Sequence, residues 1–249
     1  ILYIIGLLLI FNSSAMILTA IVSLIFDDGV VNEIILSAAI LMSLGLILML
    51  ANKNNKRQIN KRDGYLIVTV GWLTMILSGM IPYYLTNSID SFSNIFFETM
   101  SGYTATGSTI LDDVEALPKS IIFWRSMTHW LGGMGIIVLA IAILPLLGIG
   151  GMQLFSAEVP GSGISGDKIH PRISATAKRL WLIYFGLTIL ETIALSIAGM
   201  SFFDALNHSM SNIATGGFST KNESLAYWNS IPTVQYIVIF FMIIAGTNY

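Results

Sequence analysis

Two short segments of the sequence contain the residue types that can surround a dehydrated monovalent cation. Both carry the triplet Ala-Thr-Gly a few residues after a Met-Ser pair. Backbone carbonyls flanked by small side chains can replace the water oxygens around an ion without a fixed charge. Glycine allows backbone conformations that turn these carbonyls inward, and threonine adds a hydroxyl oxygen. The predicted ion-binding residues are Thr104, Ala105, Thr106, Gly107, Ile213, Ala214, Thr215 and Gly216.

Each segment belongs to a longer stretch that is too short to cross a bilayer. Residues 92–109 and 201–220 each begin with about a dozen moderately apolar residues, whereas a spanning helix needs about 20. A half-helix that enters the membrane and turns back is therefore expected in both places, with its negative carbonyl end toward the loop. Non-helical backbone at membrane depth must be buried by protein or line a water-filled path, so the loops predict such a path. Neither loop carries a carboxylate, which argues against a divalent-cation site.

The composition indicates a protein with several membrane-spanning helices. Hydrophobic residues make up 55% of the 249 residues and charged residues only 10%, well below the roughly 25% of a soluble domain. The sequence has no cysteine, which excludes disulfides and thiolate metal sites, and its net charge of −2 argues against nucleic acid as a partner. Because the chain begins without methionine, it is expected to be part of a longer protein. The predicted spans are residues 1–26, 34–50, 65–85, 117–147, 180–200 and 233–249.

The distribution of charges assigns the connections to the two sides of the membrane. Lysine and arginine concentrate in residues 52–63 and 150–179, while the other connections hold most of the acids. By the positive-inside rule the basic segments are cytoplasmic, and both half-helix stretches face outward. This assignment requires that residues 92–109 do not cross the membrane, because a crossing there would place the two basic segments on opposite sides.

The two half-helix stretches belong to an internal repeat. Residues 65–149 and 180–249 share the order span, acidic outer turn, half-helix, Thr/Gly loop, polar linker, proline and span. Two copies cannot enclose a pore by themselves, so further copies or a second chain are expected.

The run RSMTHWLGGMGIIVLAIAILPLLGIGGMQLFSAEVPG at residues 125–161, together with SNIATGGFST at residues 211–220, is the most specific signal in the chain. These runs resemble the Trk/Ktr/HKT superfamily of potassium transporters, and especially its bacterial TrkH/TrkG pore-forming subunits. The resemblance implies an all-α membrane protein in which two leading transmembrane helices precede four helix, re-entrant pore-loop, helix units of potassium-channel type. It also implies a division of the chain into a leading pair, a first pore unit, a cytoplasmic linker and a second, truncated pore unit, at residues 1–63, 64–149, 150–171 and 172–249.

The resemblance further implies a function and partners. Potassium would be the transported ion, with filter glycines at Gly107 and Gly216 and no cofactor in this chain. Glycine at position 107 resembles the potassium-selective type, since serine there is associated with sodium transport in plant relatives. The family is expected to form homodimers in the bacterial inner membrane and to bind a cytosolic nucleotide-binding regulatory subunit of the TrkA type. The chain itself contains neither a GxGxxG motif after a strand nor a GxxxxGK[ST] motif.

Two other functions stay open. A proton-coupled secondary cation transporter could use Glu191 within the fifth span, although two repeats of the same topology argue against the inverted repeats of that class. An intramembrane hydrolase could use Ser209 or Ser211 with His208, but the sequence has no GxSxG turn and adjacent helical side chains point apart. Enzymatic activity is therefore not expected.

Polar side chains within the apolar segments need partners. Arg125 is expected to snorkel outward or to cap the end of a half-helix, with ion handling as the alternative. Glu98 and His208 occupy similar half-helix positions and are expected to anchor those helices, and attraction of cations by Glu98 is the alternative. Glu191 is expected to bond to neighbouring hydroxyls, and His129 to be packed.

Two features have two interpretations each. The 117–147 span is too long to stand upright in a bilayer, and its glycines at 132, 133 and 135 allow close helix packing or a bend. The outer acidic turn of Asp112, Asp113 and Glu115 either raises the local cation concentration or is only solvated.

Overall fold

The structure is a computed structural model that describes residues 1–53, 61–135 and 170–247. Within these ranges every regular element is a helix, which confirms the all-α prediction. The helices are α1 (Leu2–Phe26), α2 (Val31–Ala51), α3 (Lys61–Gly79), α4 (Ile81–Leu85), α5 (Phe92–Tyr103), α6 (Lys119–Gly133), α7 (His170–Ile197), α8 (Phe202–Ile213) and α9 (Pro232–Gly246), with a 3₁₀-helix at Ser224–Trp228. The predicted cytoplasmic linker lies almost entirely outside the described residues.

Among the described residues, four helical segments are long and apolar enough to cross a membrane, and they correspond to four of the predicted spans. They are Leu2–Phe26, Val31–Ala51, Leu66–Leu85 and Lys178–Ile197. The third runs from within α3 to the end of α4. It is divided into two helices because Pro82 lacks a backbone N–H and fits only in the first turn of a helix, here that of α4. The 15-residue α9 lies in the predicted 233–249 span. The predicted 117–147 span is described only as far as residue 135, and α6 occupies its first part.

The leading helix α1 supports the first half-helix. It packs against α2, α3 and α6, and the buried Asn12 lies near its centre. Asn12 Nδ2 donates to Ser78 Oγ at 2.7 Å, and the Tyr103 hydroxyl donates to Asn12 Oδ1 at 2.7 Å. An unpaired amide in such an apolar interior is costly. These bonds therefore hold the C-terminal end of α5 against α1 and α3.

The half-helices α5 and α8 start and end in the same way. Each has 12 residues and follows a serine, Ser91 or Ser201, whose hydroxyl accepts from a backbone N–H at 3.1 Å. Each precedes a residue in the left-handed conformation, Ala105 (φ 50°) or Thr215 (φ 57°). The next N–H then bonds back to a carbonyl of the helix, at 3.0 Å after α5 and 2.9 Å after α8. Both copies thus leave the half-helix by the same capped turn.

The glycines at the end of α6 bring that helix close to both half-helices. A Cβ on Gly132 would overlap the backbone of Tyr103, the last residue of α5. A Cβ on Gly133 would press on Ala214, directly after α8, and on the hydroxyl of Tyr184. These two glycines therefore serve close packing, one of the two predicted roles.

Candidate cation-binding site

The two loops predicted to bind an ion lie against each other. Gly107 has a φ of +78°, and a Cβ added to it would overlap the carbonyl oxygen of Gly216. Glycine alone suits both the left-handed backbone and this close approach. Gly217 also has a left-handed backbone, with φ +91°, but a Cβ there would meet no atom within 4 Å. The backbones of Gly107 and Gly216 are therefore in direct contact.

The other predicted ligand residues differ in exposure to solvent. The three threonines are exposed, Ala105 is half-buried, and Ile213 and Ala214 are buried. The hydroxyls of Thr104 and Thr106 lie 2.7 Å apart, and the Thr104 hydroxyl also donates to the Met100 carbonyl at 2.8 Å. Among the described residues, no cluster of three or more His, Asp or Glu side chains could hold a metal ion. The role of the loop residues as ion ligands stays a prediction.

A buried ion pair lies directly behind the first loop. Arg125 of α6 is 1% exposed and Glu98 of α5 is 0% exposed, and Arg125 Nε donates to Glu98 Oε1 at 2.8 Å. The Thr109 hydroxyl lies 3.1 and 3.0 Å from the two carboxylate oxygens, and the Ile110 N–H donates to Oε2 at 3.0 Å. Glu98 thus holds the chain just beyond Gly107. Arg125 is buried with its counter-charge, so the expectation that it snorkels outward is wrong. The alternative that it caps the end of a half-helix is also wrong, because its described partners are Glu98, Thr109 and the Ser219 carbonyl.

Arg125 also reaches the second loop. Its Nη1 donates to the Ser219 carbonyl at 3.2 Å, and its Nη2 donates to the Thr109 hydroxyl at 3.3 Å. The guanidinium carbon lies 4.2 Å from the centre of the Phe218 ring, within the range of a cation–π contact. One side chain therefore contacts the residues that follow both loop glycines.

His129 fills the space beneath the second loop. Its Nδ1 lies 2.9 Å from Ser211 Oγ, and its ring stacks on Phe218 with the ring centres 3.8 Å apart. A Cβ on Gly216 would overlap this ring, so His129 is packed, as predicted. Its Nε2 has no hydrogen-bond partner within the described part of the chain. Among the described residues, no acid contacts His129 to complete a hydrolytic triad with Ser211.

Glu98 and His208 have equivalent structural roles in the two repeats. Each precedes a Met-Ser pair by two residues. Glu98 bonds Thr109, while His208 Nε2 lies 3.2 Å from Ser219 Oγ. Both half-helices are therefore tied to the chain a short distance beyond their loop glycine. The sequence analysis did not predict Thr109 and Ser219 as partners of Glu98 and His208. A hydroxyl residue shortly after the loop glycine in both repeats is the pattern that could have indicated them.

The outer turns of the two repeats are bonded to each other. Lys221 Nζ lies 3.0 Å from Glu115 Oε2, and Asn222 Nδ2 donates to Asp113 Oδ1 at 2.9 Å. The Val114 N–H donates to the Asn222 side-chain oxygen at 2.7 Å. The hydrogen bond from Lys221 lowers the pKa of Glu115, and that from Asn222 lowers the pKa of Asp113. Two acids of the predicted acidic turn are thus partners in a structural contact.

Glu191 lies where α7, α8 and α9 meet. It is 0% exposed, and its Oε1 accepts from Asn212 Nδ2 at 2.6 Å. Asn212 Nδ2 also donates to the Val238 carbonyl at 3.1 Å, so the amide connects all three helices. The partner of Glu191 is therefore an amide rather than the expected hydroxyls. Its Oε2 has no hydrogen-bond partner among the residues that the structure describes.

These features define the class of the protein, a helical membrane protein built from repeats of helix, short helix with loop, and helix. Comparison with known proteins identifies the family. Residues 31–249 match TrkH, described as a cation transport protein, and the chain belongs to this family. It is a multi-pass membrane protein.

Individual relatives agree with this assignment. The chain is 45% identical to the Trk system potassium uptake protein TrkH of Salmonella typhimurium, over 99% of this chain and 51% of that protein. It is 34% identical to the Trk system potassium uptake protein TrkG of Escherichia coli strain K12, over 98% of this chain and 50% of that protein. The crystal structure of the potassium transporter TrkH from Vibrio parahaemolyticus matches with a TM-score of 0.83 and 38% identity, over 100% of this chain and 49% of that one. The chain spans about half the length of the curated relatives that it matches.

Proposed function

We propose that this chain forms two neighbouring walls of the ion path in a potassium uptake system. The contact between Gly107 and Gly216 carries the proposal, because it joins two chemically similar loops at one place. Both loops offer carbonyls and hydroxyls and lack carboxylates, which suits a monovalent cation that sheds its water. The half-helices α5 and α8 end at these loops and direct the negative ends of their dipoles toward them. Potassium then moves down its electrochemical gradient through successive carbonyl sites.

The remaining walls of the path come from further units of a longer protein. Relatives about twice the length of this chain support this arrangement. Residues 64–149 and 172–249 are the first and second pore units, residues 1–63 are the supporting helix pair, and residues 150–171 are the cytoplasmic linker. The eight loop residues named above line the path as the ion ligands.

The transporter works within a larger assembly. Relatives whose names place them in a Trk system support a protein with several components. We propose a homodimer in the bacterial inner membrane that binds a cytosolic nucleotide-binding regulatory subunit of the TrkA type. Regulation by nucleotide then takes place in that subunit rather than in this chain.

The experiment is rubidium uptake by the full-length protein that contains this chain, reconstituted in lipid vesicles. The proposal expects saturable uptake that potassium inhibits and that does not change with pH. Gly107→Ser is expected to weaken discrimination against sodium. Equal ion preference in the wild type and in Gly107→Ser would remove the filter role from this loop.

One observation favours a second function, proton-coupled cation transport through Glu191. A buried carboxylate oxygen without a partner is costly when it is charged, and Glu191 Oε2 has none among the described residues. Flux with a fixed proton stoichiometry that disappears in Glu191→Gln would favour this function. Flux that stays independent of pH in wild type and variant excludes it.

A further inference from the structure

We infer that Arg125 and Glu98 form a buried positioning pair that sets the relative position of the two loops and thereby determines cation selectivity. This inference rests on the proposed function, because it assigns a role to residues behind the proposed filter. Neither side chain belongs to the predicted ligands, and Arg125 is almost fully buried.

The guanidinium group of Arg125 connects three separate pieces of the chain. It bonds Glu98 on the half-helix α5, Thr109 beyond the first loop and the Ser219 carbonyl beyond the second loop. Glu98 and Ser219 are 27 and 94 residues away from Arg125 along the sequence. Because the guanidinium fork is planar and rigid, these bonds hold their partners at set distances from one another.

Glu98 completes the connection on the side of the first loop. Its carboxylate oxygens contact the Thr109 hydroxyl, the Ile110 N–H and Arg125 Nε. These bonds occupy the carboxylate with protein partners, and Arg125 balances its charge. Direct attraction of a cation, the alternative considered for Glu98, is therefore not its role. The pair instead has no net charge, and it lies behind loops that carry no charge of their own.

Removing one member of this pair differs from removing both. A lone buried charge left by a single substitution is strongly unfavourable, whereas replacement of both charges by neutral groups of similar size is often tolerated. An uncompensated Arg125 would repel cations from the adjacent loops, and an uncompensated Glu98 would attract them without discrimination. Both changes act on the ion through charge and on the loops through lost bonds.

The second repeat lacks an equivalent ion pair within the described residues. The place of Glu98 is taken by His208, which contacts Ser219 Oγ. Arg125 follows Pro118, which directly precedes α6, by the same number of residues as Ile239 follows Pro232, the first residue of α9, so Ile239 takes the place of Arg125. The ion pair is therefore specific to the junction between the two loops, which is the junction where Gly107 and Gly216 touch.

The test measures the potassium-to-sodium permeability ratio of the full-length protein in lipid bilayers, a ratio that does not depend on the amount of active protein. Arg125→Lys keeps the positive charge but loses the planar fork, so it can pair with Glu98 without bonding both loops. We expect the ratio to fall by about tenfold or more, as for the loss of a hydrogen bond to a charged group. Glu98→Gln should lower it as well, and the double variant Glu98→Gln/Arg125→Met should recover part of the loss that Arg125→Met alone causes.

Lys221→Met is the matched control. Lys221 and Glu115 also form an ion pair between the two repeats, at 3.0 Å, but both side chains are partly exposed to solvent. Exposed pairs contribute little, so the permeability ratio should stay at its wild-type value. A fall in the control equal to that in Arg125→Lys would show that any cross-link between the repeats has the same effect and would overturn the inference.

The outcome separates this inference from the proposed function. If Gly107→Ser lowers the ratio while Arg125→Lys and Glu98→Gln keep the wild-type value, the filter stands and the positioning pair is refuted. If the wild-type protein shows no preference between potassium and sodium and Gly107→Ser changes nothing, the proposed function itself fails. Should Arg125→Met not fold, Arg125→Lys and Glu98→Gln still decide between these results.

Discussion

A single added methyl group at Gly107 tests the contact between the two loops. The Cβ of Gly107→Ala would lie far inside van der Waals contact with the Gly216 carbonyl oxygen. A backbone atom cannot rotate out of the way as the end of a flexible side chain can. One of the loops must therefore move, and the carbonyl that moves is among the proposed ion ligands.

Two energetic costs add in this variant. A residue other than glycine in the left-handed conformation costs roughly 1–2 kcal/mol, and Gly107 has φ +78°. Forcing an extra carbon into a filled space costs typically about 1–3 kcal/mol. Because 1.4 kcal/mol corresponds to about a factor of ten in an equilibrium, the potassium-to-sodium permeability ratio should fall by about tenfold or more.

Gly29 provides a matched control for the backbone strain. It lies in the turn between α1 and α2 with φ +79°, and a Cβ there would meet no atom within 4 Å. Gly29→Ala therefore imposes the same strain as Gly107→Ala without a clash and away from the loops. Its permeability ratio should equal that of the wild type, while Gly217→Ala, strained but free of a clash beside the site, should give an intermediate value.

The assay records reversal potentials of the full-length protein in bilayers with potassium on one side and sodium on the other. Thermal unfolding in detergent gives the stability of each variant in parallel. A wild-type permeability ratio in Gly107→Ala would refute the reasoning, because the clash could then be relieved without any displacement of an ion ligand.

Other predictions address parts of the structure outside the loops. Burial would raise the pKa of Asp28, but hydrogen bonds from serines on α6 and α1 outweigh it and lower the pKa below 3.8. Stability measured by thermal unfolding should therefore hold above about pH 4 and decrease as the pH falls through the lowered pKa, and Asp28→Asn should remove part of this decrease. Gly132→Ala should destabilise the protein by about 1–3 kcal/mol, seen as a lower unfolding temperature, because its Cβ would overlap the Tyr103 backbone. Glu191→Gln should leave ion preference in vesicle flux unchanged, since a glutamine oxygen can still accept from Asn212. Asn212→Leu should lower stability by about 1–3 kcal/mol, because it leaves the buried Glu191 Oε1 without its donor and removes the side-chain bond to the Val238 carbonyl of α9.

Much of the helical layout was predictable because its causes are local. The length of apolar runs sets which segments can span a bilayer. Ser91 and Ser201 cap the half-helices, and the Ala-Thr-Gly triplets end them in left-handed turns. Such signals act over a few residues, so a single sequence reveals them. The same reasoning misjudged Arg125, because its partner Glu98 lies on a different helix.

The sequence by itself determined which segments are helices, where the half-helices stop and which two loops repeat, because capping, turn formation and hydrophobic length depend on neighbouring residues. Only the tertiary structure decided that Gly107 touches Gly216, that His129 closes the space beneath Gly216 and that Arg125 joins both loops. These contacts link residues far apart in the chain. They follow from the close approach of α6 to both half-helices, and that approach depends on how several helices pack at once.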